Sequence, residues 1–600
     1  MSMKYRGDIQ IVRGVAVLLV VLYHLGVQSI QSGFLGVDIF FVVSGFLMAG
    51  LYDKDKKYEF IMKRARRLLP AYFTVIFATL ILSLFIATPN ETQQVVQQAL
   101  YATVFASNIG FWMQNTYFSN TEFSPLLHLW SLGVEIQFYV IVPIIAALFA
   151  RARGLLFLTF LLSLILCFIV VGISPKTSFF MMPLRLWEFL IGFACAYYFC
   201  KEGGARFSHK PWLGFAAFLV LIFIPFMKVD GTSLSVFTGH PGVFSLLVSV
   251  ATAILLIFGL PKAVEKSLFG SVFIKLGNYS YSIYLVHFPI LVLYLTEPFS
   301  GTITQASSWL DTAIMLVLII LSSLLMYHLV EKGVRTHSIA RLIAAPVISI
   351  AGLALLLPYL QYSNLPLKEQ QIFNAFSDRS TYRCGKLIRI IEPKAISCEL
   401  TDNSSVSKKR LLLVGNSHAD SIKTAFATSA IREQVSLFFV VSNNSLLKGG
   451  LSPQRIVNEA AARSIDTIVL HFSDEAIDTK KVQEVVSLAN DEEINVVFIA
   501  PVPAWSEHIP KAMYDHLRNK ADLPQKSRNM YLAQNKAVID DINNINLDNF
   551  RSVSVVEYFC DPLCSYSSSD GTPYYFDKHH LTLTGSNILS PLFSQIIREL

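Results

Sequence analysis

The chain has 600 residues, 53% hydrophobic and only 15% charged, with a formal net charge of +7 and a mean hydropathy of +0.50. That balance excludes one large water-soluble core and fits a polytopic membrane protein, with the lipid bilayer as partner and no nucleic acid expected. Apolar runs near 9–29, 34–52, 71–88, 127–150, 154–173, 183–200, 212–228, 242–260, 277–296, 311–330 and 339–362 give eleven expected spans, each close to the ~20 residues that cross a bilayer. The first reads as a span and not a cleavable signal, because further spans follow at once and no small-residue cleavage site leads into a soluble domain. Lys4, Arg6, the basic loop Asp53–Pro70, Arg151, Arg153, Lys332 and Arg335 fall on one side, whereas the loop 89–126 has no Lys or Arg. The N-terminus is therefore expected in the cytoplasm, and an odd number of spans puts residues 363–600 outside.

Polar groups recur within the spans on single helical faces. In "RGVAVLLVVLYH", Arg13 and His24 are eleven residues apart, which returns them to one face about 16 Å apart. His128, Ser131 and Glu135 repeat as i, i+3, i+7, and Arg185 and Glu188 as i, i+3. Ser280, Tyr284 and His287 make a third stripe, and His328, Glu331 and Arg335 a fourth. A charge at mid-bilayer costs at least ~2.5–3.5 kcal/mol, so these stripes predict an internal polar cavity. Ser131 and Ser282 are expected to make ordinary helix–helix hydrogen bonds. By the inferred topology, Arg13, Ser280, Glu331, Arg335, Arg66 and Arg67 lie toward the cytoplasm, where a basic set suits the phosphates of an anionic donor. His24, Asp38, His128, Glu135 and Arg185 lie toward the outside.

After residue 362 the apolar spans stop. Residues 363–408 read as a linker, and from 410 the pattern becomes α/β, with strands expected at "RLLLVG", "DTIVLHF", "INVVFIAPV" and "SVSVVEY" and a helix over 478–490. The first of these strands runs into "GNSHAD", placing Ser417 on a strand-to-helix turn, where amides are available to an oxyanion. "FDKHHLTLTG" puts Asp577 and His580 three apart before the last helix. A Ser activated by a His that an Asp orients is the logic of acyl transfer through a covalent intermediate. Cys384, Cys398, Cys560 and Cys564 all fall in this half. Four cysteines allow three pairings, and the local pairs Cys384–Cys398 and Cys560–Cys564 suit an oxidising compartment.

Residues from about 410 to 600 resemble the SGNH (GDSL-like) hydrolase and acyltransferase superfamily. The resemblance implies Ser417 as nucleophile with Asp577 and His580 as its last block. The first block reads G-N-S-H in place of the commoner G-D-S. "HFSDE" lacks the Asn of the usual G-x-N-D block, so oxyanion support is sought from the Ser417 amide and the "NNSLLKGG" loop, at Asn443 or Asn444 and at Gly449. "RGVAVLLVVLYH", "FLGVDIFFVVSGFLM", "RRLLP", "LHLWSLGVEIQFY", "RLWEFLIG", "LGNYSYSIYLVHFPI" and "EKGVR" resemble the acyltransferase-3 family of integral-membrane acyltransferases, with Gly333 where that family has Pro. That resemblance implies Arg13 and His24 as the functional pair.

The joint arrangement is similar to bacterial O-acetyltransferases of lipopolysaccharide O-antigen or peptidoglycan. It implies a polytopic α-helical membrane domain over 1–335, an extra span and linker over 336–408, and a flavodoxin-like α/β domain over 409–600. It also implies acetyl-coenzyme A as donor without a metal and a surface glycan, with an O-antigen repeat unit favoured, as acceptor. Glycan-assembly machinery is a further expected partner. The expected location is a bacterial inner membrane with the C-terminal domain in the periplasm. A transporter with an appended binding domain and a membrane-tethered esterase are the rival readings.

Overall fold

The computed structural model describes residues 5–114, 122–197, 210–333, 340–363, 365–380, 396–401, 409–440, 446, 451–474 and 477–599. The chain divides into two compact units, residues 1–363 and 364–600.

In the first unit every expected span has a helical counterpart. Among the described residues, however, only seven helices are long and apolar enough to cross a membrane, from Gly7–His24 to Leu342–Ser363. Met182–Cys195, Pro211–Phe223 and Val243–Phe258 are shorter. Leu268–Tyr294 has the length, but its polar stripe lowers its hydropathy. Two expected loops are corrected. The basic stretch Asp53–Pro70 is mostly the opening of a 30-residue helix, Lys57–Ile86. The stretch 89–126 contains helices Pro89–Thr103 and Ser107–Met113, the first opened by a Thr88/Glu91 capping box.

Close crossings set the interior of this unit. A Cβ on Gly277 of Leu268–Tyr294 would stand 1.9 Å from the Gln10 carbonyl of Gly7–His24, and one on Gly192 of Met182–Cys195 would stand 1.9 Å from the Val42 carbonyl of Gly36–Leu51. Small residues at both contacts let backbones touch, the packing device that works in lipid, where burial supplies no drive.

The second unit holds a six-stranded sheet: β1 (Ser397–Glu399), β2 (Arg410–Gly415), β3 (Ser436–Val440), β4 (Thr467–His471), β5 (Asn495–Ile499) and β6 (Phe550–Val553). The order is β1-β3-β2-β4-β5-β6. β2 to β6 are parallel, and only β1 is antiparallel, with Cys398 opposite Phe439. The five parallel strands follow the flavodoxin-like order, and chain direction across the sheet reverses at β2. β2, β4 and β5 match the sequence expectation, as does the helix Thr479–Asp491. The expected strand "SVSVVEY" overlaps β6 only at Ser552 and Val553, and its end forms the helix Val556–Phe559. The helix Leu367–Asn374 and strand β1 occupy what reads as linker. Apolar side chains on both faces of β2 and β4 are fully buried, so the sheet is the floor on which the loops beyond its carboxyl ends are fixed.

Candidate functional site

Ser417 follows the end of β2, at the reversal point of the sheet, and is the first residue of the helix Ser417–Arg432. Gly415 lets this turn sit against β4, since a Cβ there would stand 1.8 Å from the His471 carbonyl. The Asn416 side chain caps the helix by accepting from the His418 amide at 3.0 Å and donates to Ser473 Oγ at 2.9 Å. The amide of Ser417, in the first helical turn, has no intrahelical acceptor and faces the end where helix dipoles favour anions.

The expected Ser, His and Asp come together. Ser417 Oγ lies 2.6 Å from His580 Nε2, and His580 Nδ1 lies 2.6 Å from Asp577 Oδ2. Asp577 Oδ1 also accepts from the amides of His579 and His580 at 2.8 and 2.7 Å. Burial opposes the Asp577 charge, but the hydrogen bond and charge of His580 and these two amides outweigh it and hold the carboxyl well below its usual range. With Nδ1–H committed to the carboxylate, His580 presents the lone pair of Nε2 to the Ser417 hydroxyl. The loop that carries them is braced by Trp505 N–H on the Lys578 carbonyl at 2.8 Å and Ile509 N–H on the Asp577 carbonyl at 3.2 Å. Beside it runs a groove lined by Ser473, Asp474, Ser506, Lys526, Gln534, Lys578 and His579. Asn443 and Gly449, the expected oxyanion helpers, lie outside the described residues, as do Cys384 and Arg335. Cys560 and Cys564 are joined by a disulfide, and Cys398 is disulfide-bonded.

The first unit holds a cavity lined by the helices Gly7–His24, Gly36–Leu51, Lys57–Ile86, Leu129–Arg151 and Leu268–Tyr294. Arg13, Ser280 and Tyr284 line it as expected, together with Arg67. Arg13 donates to Ser280 Oγ at 2.8 Å, and Tyr284 Oη lies 2.6 Å from Ser131 Oγ. Arg66 does not line it and is exposed; Arg64, three residues before Arg67 on the same helical face, does. Arg64 Nε has no hydrogen-bond partner among the described residues. Glu135 is a correction. Expected with the outward set, it lies in this cavity with Arg13, where it accepts from Ser44 and Tyr139. Its position two turns into Leu129–Arg151 takes it away from His128. Three guanidinium groups against one carboxylate leave the lining net positive. Glu331 accepts instead from Ser282 at 3.0 Å, at the end of a π-helical turn, Met326–Glu331.

His24 lies apart from that lining, against two other imidazoles. Its Nδ1 is 3.2 Å from His287 Nε2, and its ring is 5.3 Å from that of His287. The His128 and His287 ring centres are 5.6 Å apart. Neither ring nitrogen of His128 has a hydrogen-bond partner among the described residues. Asp38 and Arg185 occupy neither place. They form a closed ionic cluster in which Arg185 donates to Asp38 and, at 3.2 Å, to Glu188, while His240 Nε2 lies 3.0 Å from Asp38 Oδ2. All four side chains are buried. His240 escaped the sequence reading because it sits outside the apolar runs, where a lone His carries no signal.

Residues 6–328 match the family described as the acyltransferase domain, and residues 383–595 match the SGNH domain that is fused to such domains. The O-acetyltransferase OatA of Staphylococcus aureus strain NCTC 8325 is 31% identical over 322 residues, covering 48% of this chain and 51% of its own. The SAS0844 protein of strain MSSA476 is 28% identical over 368 residues, covering 57% of this chain and 59% of its own. The chain thus spans little more than half the length of the curated relatives it matches. A solved structure, the lipopolysaccharide acetyltransferase periplasmic domain of Salmonella ser. Paratyphi A, aligns with 39% of this chain and 99% of its own at 16% identity and a TM-score of 0.29. The chain belongs to the acyltransferase-domain family, as a multi-pass membrane acyltransferase-3 domain fused to an SGNH domain.

Proposed function

We propose that the protein is an O-acetyltransferase that takes acetyl from cytoplasmic acetyl-coenzyme A and delivers it to a sugar hydroxyl of a surface polysaccharide, the O-antigen of lipopolysaccharide. It would lie in a bacterial inner membrane with its N-terminus cytoplasmic and its SGNH domain periplasmic. The observation that carries this reading is the hydrogen-bonded chain Ser417–His580–Asp577, on a chain that also belongs to the membrane acyltransferase family. The net-positive cavity around Arg13, Arg64 and Arg67 supports an anionic, phosphate-bearing donor. The groove beside the Asp577–His580 loop, with Ser473, Asp474, Gln534 and Trp505 in its lining, supports a hydroxyl-rich acceptor.

In the proposed reaction the thioester C–S bond breaks and coenzyme A leaves as the thiol. The proton that Ser417 gives up balances the one the thiol keeps, and acetyl ends as an ester on Ser417 Oγ. His24 serves in the membrane half as base or transient carrier. A sugar hydroxyl then attacks the ester, His580 takes its proton, and Ser417 leaves with that proton restored. The test is NMR analysis of O-antigen and peptidoglycan from a deletion strain complemented with wild type or Ser417→Ala. Acetyl esters on O-antigen restored only by wild type are the expected result. Acetyl restored on peptidoglycan alone would move the acceptor, and equal restoration by Ser417→Ala would sink the relay.

A further inference from the structure

His418 lies on the side of the Ser417 turn away from the solvent, 1% exposed, yet it does not serve the Ser417–His580–Asp577 chain. Its Nε2 is 2.9 Å from His579 Nδ1, and the two rings are parallel to within 5° at 5.0 Å. The His580 ring stands 5.0 Å from that of His418 and 4.0 Å from that of His579. Each of the three residues offers one ligand atom, and these atoms all lie within 4.8 Å of one another. We propose that His418, His579 and His580 form a capture site for a borderline divalent cation of the Zn²⁺ type, which withdraws His580 from Ser417 when it binds.

Two features make the cluster a site and not a coincidence of ring positions. The first is donor chemistry. Three imidazoles with no carboxylate in the first ring of ligands favour Zn²⁺ over Mg²⁺ or Ca²⁺, which demand oxygen. Zn–N bonds of about 2.0–2.1 Å in tetrahedral geometry set nitrogen separations near 3.3 Å. The His418–His579 pair needs to open by only a few tenths of an ångström to reach that spacing.

The second feature is preorganisation. His418 is fixed by its helix and by its own amide on Asn416, and His579 and His580 by their amides on Asp577. Asp577 on His580 Nδ1 is the carboxylate–histidine arrangement that orients a metal ligand and raises its basicity.

A cation on these nitrogens occupies His580 Nε2, the atom that otherwise accepts the Ser417 proton. The inhibitory consequence rests on the acyl-serine reading above, whereas the metal site does not, so binding alone tests it. Full-length protein in detergent, stripped with chelator, is titrated with Zn²⁺ against a chromophoric chelator. One equivalent should bind tightly to wild type and to Ser417→Ala, and Mg²⁺ should not compete. Affinity should fall at least tenfold in each of His418→Gln, His579→Gln and His580→Gln, with His579, half-buried, the substitution least able to disturb folding; a thermal melt checks each variant. Absence of a stoichiometric site, or affinity unchanged in the His418 and His579 variants, overturns the proposal. Unchanged affinity in His580→Gln overturns it too, because the cation would then leave the base untouched.

Discussion

His287 Nε2 stands 3.2 Å from His24 Nδ1, while the other nitrogen of the same ring meets the Tyr284 carbonyl at 2.7 Å. A carbonyl can only accept, so His287 Nδ1 carries the proton of the neutral ring and Nε2 is its acceptor. His24 must then donate from Nδ1, so its Nε2 is the nitrogen without a proton. His287 is thus a positioning residue that favours this tautomer of His24. His24→Ala should lower acetyl transfer from labelled acetyl-coenzyme A in inverted vesicles by about 10²–10⁴-fold, the usual worth of a placed base. His287→Phe should cost less, and His287→Gln, whose amide oxygen can accept from Nδ1, should recover part of the loss. Equal activity in His287→Phe and His287→Gln would remove the tautomer account.

Asp577→Asn keeps the shape of the Ser417 site but not the acceptor that sets the His580 tautomer. The loss in acetyl transfer should be on the order of 10³–10⁴-fold, scaled from the analogous substitution in serine proteases. The same carboxyl contributes to stability with a definite sign. Its folded pKa is depressed, so the contribution is full above the unfolded value of about 3.9 and is lost as pH falls below it toward the folded value. Urea unfolding of wild type and Asp577→Asn should therefore differ most near neutrality and converge in strong acid. A gap that widens below pH 4 would contradict the sign.

Arg185→Met leaves Asp38 and Glu188 buried without their cation. Breaking such a cluster from one side should destabilise by about 3–5 kcal/mol. The variant should accordingly vanish from membranes or melt early, and not persist as a folded, inactive protein. A stable Arg185→Met with selective loss of acetyl transfer would instead place the cluster in the chemistry.

Gly277→Ala forces a methyl into the Gln10 carbonyl, where nothing flexible can give way. Overpacking of this kind costs about 1–3 kcal/mol. It should also part Arg13 from Ser280 and His24 from His287, since both pairs bridge the same two helices. Lower thermal stability and lower acetyl transfer are expected together, whereas Gly352→Ala, with open space around its Cβ position, should change neither.

Periodicity made the polar stripes legible, because a helical face is fixed by spacing alone. It put Arg13 with Ser280 and His24 with His128, but it left His287 on its own stripe and could not say which stripes face each other. Asp38 and Arg185 therefore looked like cavity residues and proved to be partners of Glu188 and His240. Arg64 was hidden among seven basic residues whose simpler explanation was anchoring at the membrane surface. In the second unit Ser417, Asp577 and His580 were readable from motif order. The strand β3, "SLFFV", was passed over. His418 and His579 were passed over because each is adjacent in sequence to a residue with an assigned role.

The helices Gly7–His24 and Leu268–Tyr294 carry two polar contacts of the first unit at once, Arg13 with Ser280 and His24 with His287. The axial spacing of Arg13 and His24 is consequently an intrahelical length, about 16 Å at 1.5 Å per residue, and no sliding of neighbouring helices can alter it. The first helix behaves as a fixed gauge. A molecule held by its charge at Arg13 can present a reactive carbon to His24 only if it reaches that far, so discrimination among donors would fall on the extended length of the carrier arm before it fell on the acyl group at its tip.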